Sequence, residues 1–353
     1  MRTHQIVLLS SLTAALIGCS SELPPSGEDV GQAAQAAITD NGLHVNGLHV
    51  NGLHVNGLHV NGLHVNGTTL NGLHVNGAKL EGTVFSGTVD GNTVSGPAFS
   101  GAVMSATIDG HPGSLQVRID DVSSTDDPDI TLYGVSVLPP GASAWQPLCT
   151  DSNGDPVQAI PLRGYWDESQ GTPTGGDHFD APDEVTFACL GYSLAKCVEF
   201  GYKPWKSTVQ CIAPGVCHTL PLSYHHQACT RMLRADYCGD GTPATREGTL
   251  IDIADSIGQE SPEAPASWLF EAEWGSEGAA CVKTTRWPTM PLGSGDYLNQ
   301  NVRQYIKSHC PARWANKPTV CGTAQSSFYP IPGFNVSLDA RSLLTTRVKP
   351  QMP

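Results

Sequence analysis

The sequence predicts two folded parts, a short β-helix-like solenoid and, after it, a disulfide-rich α+β domain. The first prediction depends on a five-residue unit that repeats through residues 41–104 of the 353-residue chain. The second depends on ten cysteines that follow an apparent export signal, and on a change near residue 105 from repeats to alternating strand patterns and a helix.

Residues 1–18 have the pattern of a bacterial lipoprotein signal peptide. Arg2 gives a basic start, residues 6–17 form an apolar core, and the sequence Leu-Ile-Gly-Cys at 16–19 fits a lipobox. Cleavage would leave a lipidated Cys19 at the start of the mature chain; the alternative is a plain signal peptide with an incidental cysteine. Ser20 is not the aspartate that retains lipoproteins at the inner membrane in many Gram-negative bacteria. We therefore expect export and a lipid anchor in the outer membrane or at the cell surface.

Two segments are predicted to lie outside the folded parts. Residues 19–40 are rich in Ser, Pro, Glu and Gly, which bury too little apolar surface to fold and predict a flexible tether. Residues 341–353 are predicted to be a C-terminal tail.

The repeat at 41–104 has a period of five. The unit Asn-Gly-Leu-His-Val occurs without interruption over 41–65, returns at 71–75, and continues in a looser form to Met104. A fixed period indicates a solenoid, in which neighbouring units stack to bury their apolar residues. This pattern is similar to the pentapeptide-repeat family, although Leu stands where that family usually has Ala or Cys. The resemblance implies a right-handed four-sided β-helix of about three coils, and a disordered low-complexity spacer is the alternative.

Each complete unit also carries a histidine. In the four-sided arrangement, residues twenty apart would stack about 4.8 Å from one another, and imidazole arrays bind Zn, Cu or Ni. Thr69 and Lys79 at equivalent positions favour a plain solvated face instead. We therefore expect weak binding of Zn or Cu at most, with no cofactor required. The candidate metal ligands are His44, His49, His54, His59, His64 and His74.

Residues 105–340 are predicted to form the larger domain. Alternating apolar residues at 115–119 and at 133–137 predict two strands. The segment between them is crowded with carboxylates, which suit Ca²⁺. Their spacing matches no EF-hand loop, so an ordinary solvated acidic loop is favoured. These carboxylates are Asp120, Asp121, Asp126, Asp127 and Asp129.

The cysteines of this domain predict disulfides. An even set behind an export signal is typical of up to five bridges, and the close Cys pairs of zinc sites do not occur. The connectivity stays open at this point. The ten residues are Cys149, Cys189, Cys197, Cys211, Cys217, Cys229, Cys238, Cys281, Cys310 and Cys321.

A central helix is predicted at 222–238. Ser223 is its expected N-cap, and Gly239 follows its end. Cys229 and Cys238 would lie about 13 Å apart along such a helix, too far to bond to each other. Each is therefore expected to bridge to a different neighbour, which would make the helix a hub. A second helix is predicted near 297–308.

The tetrapeptide Ala-Asp-Tyr-Cys at 235–238 carries the most specific signature. Together with residues 226–232 before it and Gly-Asp-Gly at 239–241 after it, it resembles the ADYC domain, a family of secreted bacterial proteins. The resemblance extends to residues 196–205 and 245–249, and covers about half of the chain. It implies no reaction and assigns no catalytic residues.

Charge and motifs exclude several functions. The formal net charge is −14, and loss of Arg2 with the signal peptide makes it −15, which argues against nucleic acid as a partner. No phosphate-binding loop, dinucleotide fingerprint or zinc-protease motif is present.

The leading interpretation is a surface-displayed structural or binding lipoprotein, with a protein or cell-surface ligand as partner. Metal binding through the histidine repeat is one alternative. A second is an enzyme with catalytic candidates His225, His226, Asp236 and Asp240, near which Asp177 and His178 would fold. A third, more remote, is that the repeat is a substrate modified by the domain downstream.

Overall fold

The computed structural model describes part of the chain. The described residues are 35–36, 38–40, 73–75, 78–89, 92–108, 115–139, 141–151, 153–167, 176–213, 216–246, 248–255, 257–291, 297–315, 321 and 342–349. The predicted signal peptide, Cys19 and the uninterrupted repeats at 41–65 lie outside them.

Short antiparallel strands dominate the described residues, and four short helices accompany them. The helices are α1 (Ser193–Glu199), α2 (Leu222–Arg234), α3 (Val302–His309) and α4 (Pro311–Ala315). The first strands are β1 (Gln35–Ala36), β2 (Ile38–Asp40), β3 (Leu73–Val75), β4 (Ala78–Glu81), β5 (Val84–Val89), β6 (Asn92–Ser95), β7 (Val103–Ile108), β8 (Leu115–Ser124), β9 (Thr131–Leu138) and β10 (Gln146–Pro147). The later strands are β11 (Ala159–Arg163), β12 (Tyr165–Trp166), β13 (His178–Phe179), β14 (Glu184–Cys189), β15 (Ser207–Ala213), β16 (Val216–Pro221), β17 (Leu250–Asp255), β18 (Glu260–Ser261), β19 (Leu269–Gly275), β20 (Gly278–Val282) and β21 (Leu344–Val348).

The largest sheet has seven strands in the order β10-β9-β11-β14-β3-β7-β8, and β8 also pairs with β9. That pairing closes six of the strands into a ring. β8 and β9 confirm the two strands predicted from alternation, because Val117, Ile119 and Val135 are buried on one face. Phe85 and Phe99 complete the same core.

The outer face of this sheet is also covered. Ile160 and Leu162 of β11 pack with Leu194 and Val198 of α1 and with the indole of Trp166. Because β11 is covered on both faces, it reads as a continuous apolar run rather than as an alternating strand.

A second sheet has the order β2-β17-β21-β19-β20, and its pairings are antiparallel. Helix α2 packs against it, so that Met232 and Leu233 share a core with Ile253, Ala272 and the indole of Trp274. The sheet and helix α2 form the half of the molecule that contains the signature tetrapeptide.

Disulfides join these parts. Cys197 of α1 is bonded to Cys229 of α2, and Cys238 to Cys310, so Cys229 and Cys238 belong to different bridges as predicted. Two further bridges in the described residues are Cys149–Cys189 and Cys281–Cys321. Cys217 is disulfide-bonded as well, and its main-chain partner across the β15–β16 hairpin is Cys211.

Two predicted boundaries differ from the structure. Residues 35–40, assigned to the tether, pair through β1 and β2 with β18 and β17. Residues 344–348, assigned to the tail, form β21 in the middle of the five-stranded sheet. In both cases the segment forms main-chain hydrogen bonds with strands that are distant in the sequence. The composition of a segment does not reveal such partners.

The loosened end of the repeat does not continue a coil in the described residues. Strands β4, β5 and β6 pair antiparallel as a meander, whereas successive coils of a β-helix would pair in parallel. β3 and β7 belong to the seven-stranded sheet. Residues 73–104 are therefore part of the larger domain.

Helix α2 is shorter than predicted. It ends at Arg234 rather than near 238, because Ala235 adopts a left-handed conformation with φ of 51°. Pro221 occupies the N-cap position, and no side chain caps the helix there, so the expected role of Ser223 was wrong. Helix α3 confirms the second predicted helix and begins after Asn301, whose side chain accepts a hydrogen bond from the main-chain N of Gln304. Within the described residues, no helix has the length and apolar character needed to cross a membrane.

Candidate functional site

Asp236 of the signature organises the loop after α2. Its side chain is fully buried, and its carboxylate accepts main-chain hydrogen bonds from Gly239 (2.8 Å), Asp240 (3.1 Å) and Gly241 (2.9 Å). Arg231 donates to the same carboxylate at 2.5 Å. Burial raises the pKa of Asp236, and the charge of Arg231 opposes the rise. The residue therefore shapes a loop and is not presented to a substrate.

Tyr237 has a comparable role one residue later. Its hydroxyl donates to Glu271 (2.7 Å) and accepts from the main-chain N of Arg286 (2.8 Å). The guanidinium of Arg286 pairs with Glu271 (3.0 Å) and donates to the carbonyls of Met232 and Leu233 at the end of α2. Since all these groups are buried, the ion pair caps the helix from inside the core.

The remaining two residues of the tetrapeptide are structural too. Ala235 provides the left-handed turn, and its methyl group is fully buried in the core, where glycine would leave a void. Cys238 bonds to Cys310 at the end of α3. Each residue of the tetrapeptide thus fixes α2 to its surroundings.

An open cleft lies beside the N-terminal half of α2. Its volume is about 660 Å³, within the range of small-molecule sites. The turn after β4, the β12–β13 pair, residues 204–205, α2 and the turn after β19 contribute to it. Its lining residues are Leu80, Glu81, Gly82, Arg163, Asp177, His178, Asp180, Pro204, Trp205, Ser223, Tyr224, Gln227, Ser276 and Glu277.

Buried polar contacts hold the walls of the cleft. Gln227 donates to the carbonyl of Gly176 (2.9 Å) and accepts from the indole of Trp166 (3.1 Å), which ties α2 to the β12–β13 pair. Gly82, at a φ of +57°, lies close against Trp205, so that a Cβ there would be 3.3 Å from the indole nitrogen. A bulkier residue at position 82 would therefore move the aromatic wall.

Carboxylates dominate the charge of the cleft. Four acidic side chains, Glu81, Asp177, Asp180 and Glu277, line it together with one guanidinium, that of Arg163. Arg163 is bound by both oxygens of Asp180, at 2.5 and 2.6 Å. The cleft is therefore acidic.

His178 adds no positive charge at neutral pH. Burial lowers the pKa of its imidazole, and a contact with the Arg163 carbonyl (3.0 Å) only partly offsets that effect. The ring lies 4.5 Å from that of Trp166, centroid to centroid. His178 is thus a neutral, packed part of the wall.

One guanidinium connects the signature loop to the cleft. Arg231, itself buried, donates to Asp236 at 2.5 Å and to Asp177 at 2.6 Å. The Asp177 side chain is 51% exposed at the cleft wall. The buried signature therefore positions a carboxylate of the cleft.

Comparison with known proteins decides the family. The sequence profile of the ADYC domain matches residues 96–288, more than half of the 353 residues. The chain belongs to the ADYC domain family. Neither a search of curated proteins nor a search of solved structures found a match.

The folded unit is larger than the matched ADYC segment. Glu81 and Gly82 of the cleft precede residue 96, and Cys310 and strand β21 follow residue 288. Because Cys238 bonds to Cys310, the ADYC tetrapeptide itself is completed by a residue outside the matched range.

The two candidate histidines lie in the core of the ADYC domain. Burial lowers the pKa of His225 to about 4, and its ring stacks near that of Tyr202. Burial and the nearby His178 lower the pKa of His226 to about 3, and its Nε2 contacts the Leu194 carbonyl at 3.0 Å. Both rings are 1% exposed. A general base must reach its substrate, and these side chains have no such access.

The structure brings together only some of the side chains that were predicted to form a catalytic site. Asp177 does lie near α2, through Arg231, and His178 lies near His226. Asp240 instead accepts a hydrogen bond from the hydroxyl of Tyr305. The structure therefore supports structural roles for His225, His226, Asp236 and Asp240.

The acidic loop at 120–129 is paired with lysines. Asp127 and Asp129 bind the ammonium of Lys203 at 2.8 and 2.7 Å, and Asp129 also binds Lys206 at 2.6 Å. Burial acts to raise the pKa of Asp129, but these lysines hold it below the ordinary value. The loop thus fixes the segment that leads to Trp205.

Possible metal ligands converge at one place in the described residues, Glu273 with Cys281 and Cys321. The two cysteines are bonded to each other, so they offer no thiolate. The candidate histidines at 44–64 lie outside the described residues, and only the main chain of His74 is described, within β3. Metal binding by the repeat stays a prediction.

The cleft as a whole was not predicted from the sequence, although Asp177 and His178, which were expected near α2, do line it. Its residues come from segments near 80, 163, 177, 205, 224 and 277, which no single spacing connects. A further signal was Trp205, in the segment that accompanies the ADYC resemblance.

Proposed function

We propose that this ADYC protein is an exported, lipid-anchored binding module and that the cleft beside α2 is its ligand site. The supporting observation is the connection through Arg231, in which a buried and fully bonded signature holds a cleft wall in place. Pre-organised walls reduce the entropy lost on binding. The disulfides Cys149–Cys189, Cys197–Cys229, Cys238–Cys310 and Cys281–Cys321 agree with an exported location, since such bridges persist in oxidising compartments.

Binding is favoured over catalysis because the candidate catalytic side chains are buried or already hydrogen-bonded within the fold. Two of the candidate bases are buried, and the candidate carboxylates Asp236 and Asp240 are occupied by loop amides and Tyr305. The ADYC match itself assigns no reaction.

A thermal-shift panel tests the binding proposal. The full mature chain would be screened with small neutral sugars, anions, organic cations and apolar compounds. Ser223→Trp, in the first turn of α2, places a large side chain in the cleft; Gln304→Trp makes the same change at an exposed position on α3. The proposal expects at least one class to raise the melting temperature of the wild type and of Gln304→Trp, but not that of Ser223→Trp. No shift with any class, or equal shifts in all three proteins, would contradict it.

A further inference from the structure

The cleft has more negative charge than its own cations neutralise. Arg163 is engaged by Asp180, and Arg231 is buried between Asp177 and Asp236. Among the residues that the structure describes, neither Glu81 nor Glu277 takes part in a salt bridge, and both are exposed at the cleft. Arg313, which is not among the lining residues, donates to the carbonyl of Glu277 at 2.7 Å, and its charge interacts with the Glu277 carboxylate. Both carboxylates are open to a ligand, with the charge of Glu277 partly offset by Arg313.

Aromatic side chains line the same cleft as these carboxylates. Trp205 and Tyr224 are both half-buried lining residues, and the indole of Trp205 is held against Gly82, the residue that follows Glu81. An ammonium or guanidinium group over an aromatic face is stabilised by the ring quadrupole, most strongly by Trp. Carboxylates and aromatic side chains that line one cleft are thus a combination suited to an organic cation.

The cleft stays negatively charged over the neutral pH range. His178 is the imidazole of the cleft, and burial lowers its pKa. Among the lining residues, Arg163 is the one cation that could attract an anion, and Asp180 already binds it at two positions. The formal charge of −14 on the chain also favours the approach of cations.

From this geometry we infer that the cleft binds an organic cation, with an ammonium or guanidinium group held between the Trp205 and Tyr224 side chains and the carboxylates of Glu81 and Glu277. This inference rests on the proposed binding function and specifies its ligand class. The cation is either a lysine or arginine side chain of a peptide or a free polyamine or amino sugar. The two sources share the charged group and differ in what surrounds it.

Isothermal titration of the full mature chain tests the ligand class. The probes are a blocked Gly-Lys-Gly-Lys-Gly peptide, its arginine analogue, its glutamine analogue, spermidine and glucosamine. We expect the cationic probes to bind and the glutamine peptide not to bind, with affinity falling as NaCl rises from 50 to 500 mM because the charges are screened. Tighter binding of the peptides than of spermidine and glucosamine identifies a peptide source, and the reverse order identifies a small free cation.

Paired variants test the site. In Glu81→Gln/Glu277→Gln we expect cation affinity to fall roughly tenfold, as two partly exposed charge pairs are lost. Asp126→Asn/Asp183→Asn removes two exposed carboxylates that do not line the cleft, so it controls for net charge and should change affinity less than about twofold.

The outcomes separate the two proposals. Cation binding that is equally weakened in both double variants would overturn the assignment to the cleft. Binding of a neutral or anionic ligand that Ser223→Trp abolishes, without any cation binding, would leave the binding module standing and overturn the ligand class. If no probe binds and the thermal-shift panel is also negative, the binding function itself fails.

Discussion

At the scale of single residues, Asp236 shows how the ADYC signature stabilises the domain. Its carboxylate has three main-chain donors and a buried guanidinium. Removal of such a group destabilises the fold mainly because its hydrogen-bond and charge partners are left buried and unpaired.

We predict that Asp236→Asn lowers the free energy of unfolding by about 3 kcal/mol, because Arg231 loses a buried counter-charge. Urea denaturation measures the change. Asp183→Asn, at an exposed site, should stay within about 0.5 kcal/mol of the wild type. Equal midpoints for the two variants would show that Asp236 has no such role.

Glu260 predicts a pH dependence of stability. Its side chain is 2% exposed, and both carboxylate oxygens are buried without a hydrogen-bond partner in the described residues. Burial, with the charges of Asp255 and Glu263, raises its pKa from 4.5 to about 8. The unfolded chain ionises this group more readily than the folded chain does, so its contribution to stability is complete below about pH 4.5 and is lost as the pH rises towards 8.

Glu260→Gln removes this titration. We expect the variant to gain stability relative to the wild type between pH 5 and pH 8, measured by urea unfolding at both values. The wild-type curve serves as the reference for all other titrating groups. A difference between variant and wild type that stays constant over this range, or reverses, would contradict a raised pKa at Glu260.

At the scale of elements, β21 is the least expected part of the fold. It lies between β17 and β19, and the hydroxyl of Thr346 bridges the indole of Trp274 and the carboxylate of Glu271. It thus connects the sheet to the ion pair that holds Tyr237.

We predict that deletion of residues 343–353 abolishes cooperative thermal unfolding, because it exposes two strand edges and a polar core group. Deletion of residues 350–353, which follow β21, is the matched control and should leave the transition unchanged. A cooperative transition at the wild-type temperature in the longer deletion would disprove a central role for β21.

The disulfides make a second prediction at this scale. Peptide mapping without reduction should recover Cys197 linked to Cys229 and Cys238 linked to Cys310. A peptide that links Cys229 to Cys238 would contradict the positions of α1, α2 and α3 together.

Several elements could be predicted because their pattern is local. The strands at 115–119 and 133–137 alternate, since one face is buried in the ring. The separate bridges of Cys229 and Cys238 were predicted from a helix that reaches 238, but α2 ends at Arg234, so Cys229 lies on the helix and Cys238 in the loop after it. The end of α2 could not be predicted, because alanine at 235 gives no signal for a left-handed turn and Asp236 is held by tertiary contacts. β21 and the cleft depend on distant segments that meet only in the fold.

At the scale of the whole molecule, export and anchoring are tested at Cys19. If the lipobox is processed as predicted, the mature protein carries a lipidated Cys19 and fractionates with membranes. Cys19→Ala should leave an unprocessed or soluble form, visible by membrane fractionation and mass spectrometry. Unchanged processing and membrane partitioning of the variant would contradict the predicted lipid anchor.

The function of the whole protein depends on whether an organic cation sits against the wall of the cleft. The most direct measurement is a ¹H–¹⁵N titration of the tryptophan indoles with the blocked Gly-Lys-Gly-Lys-Gly peptide, in which Trp205→Phe assigns the Trp205 signal. The indole of Trp274, hydrogen-bonded to Thr346 inside the core, provides the internal reference. We predict a saturable shift of the Trp205 signal that disappears in Glu81→Gln/Glu277→Gln, while the Trp274 signal stays in place. A Trp205 signal that does not move on saturation, or that moves equally in the double variant, would contradict it.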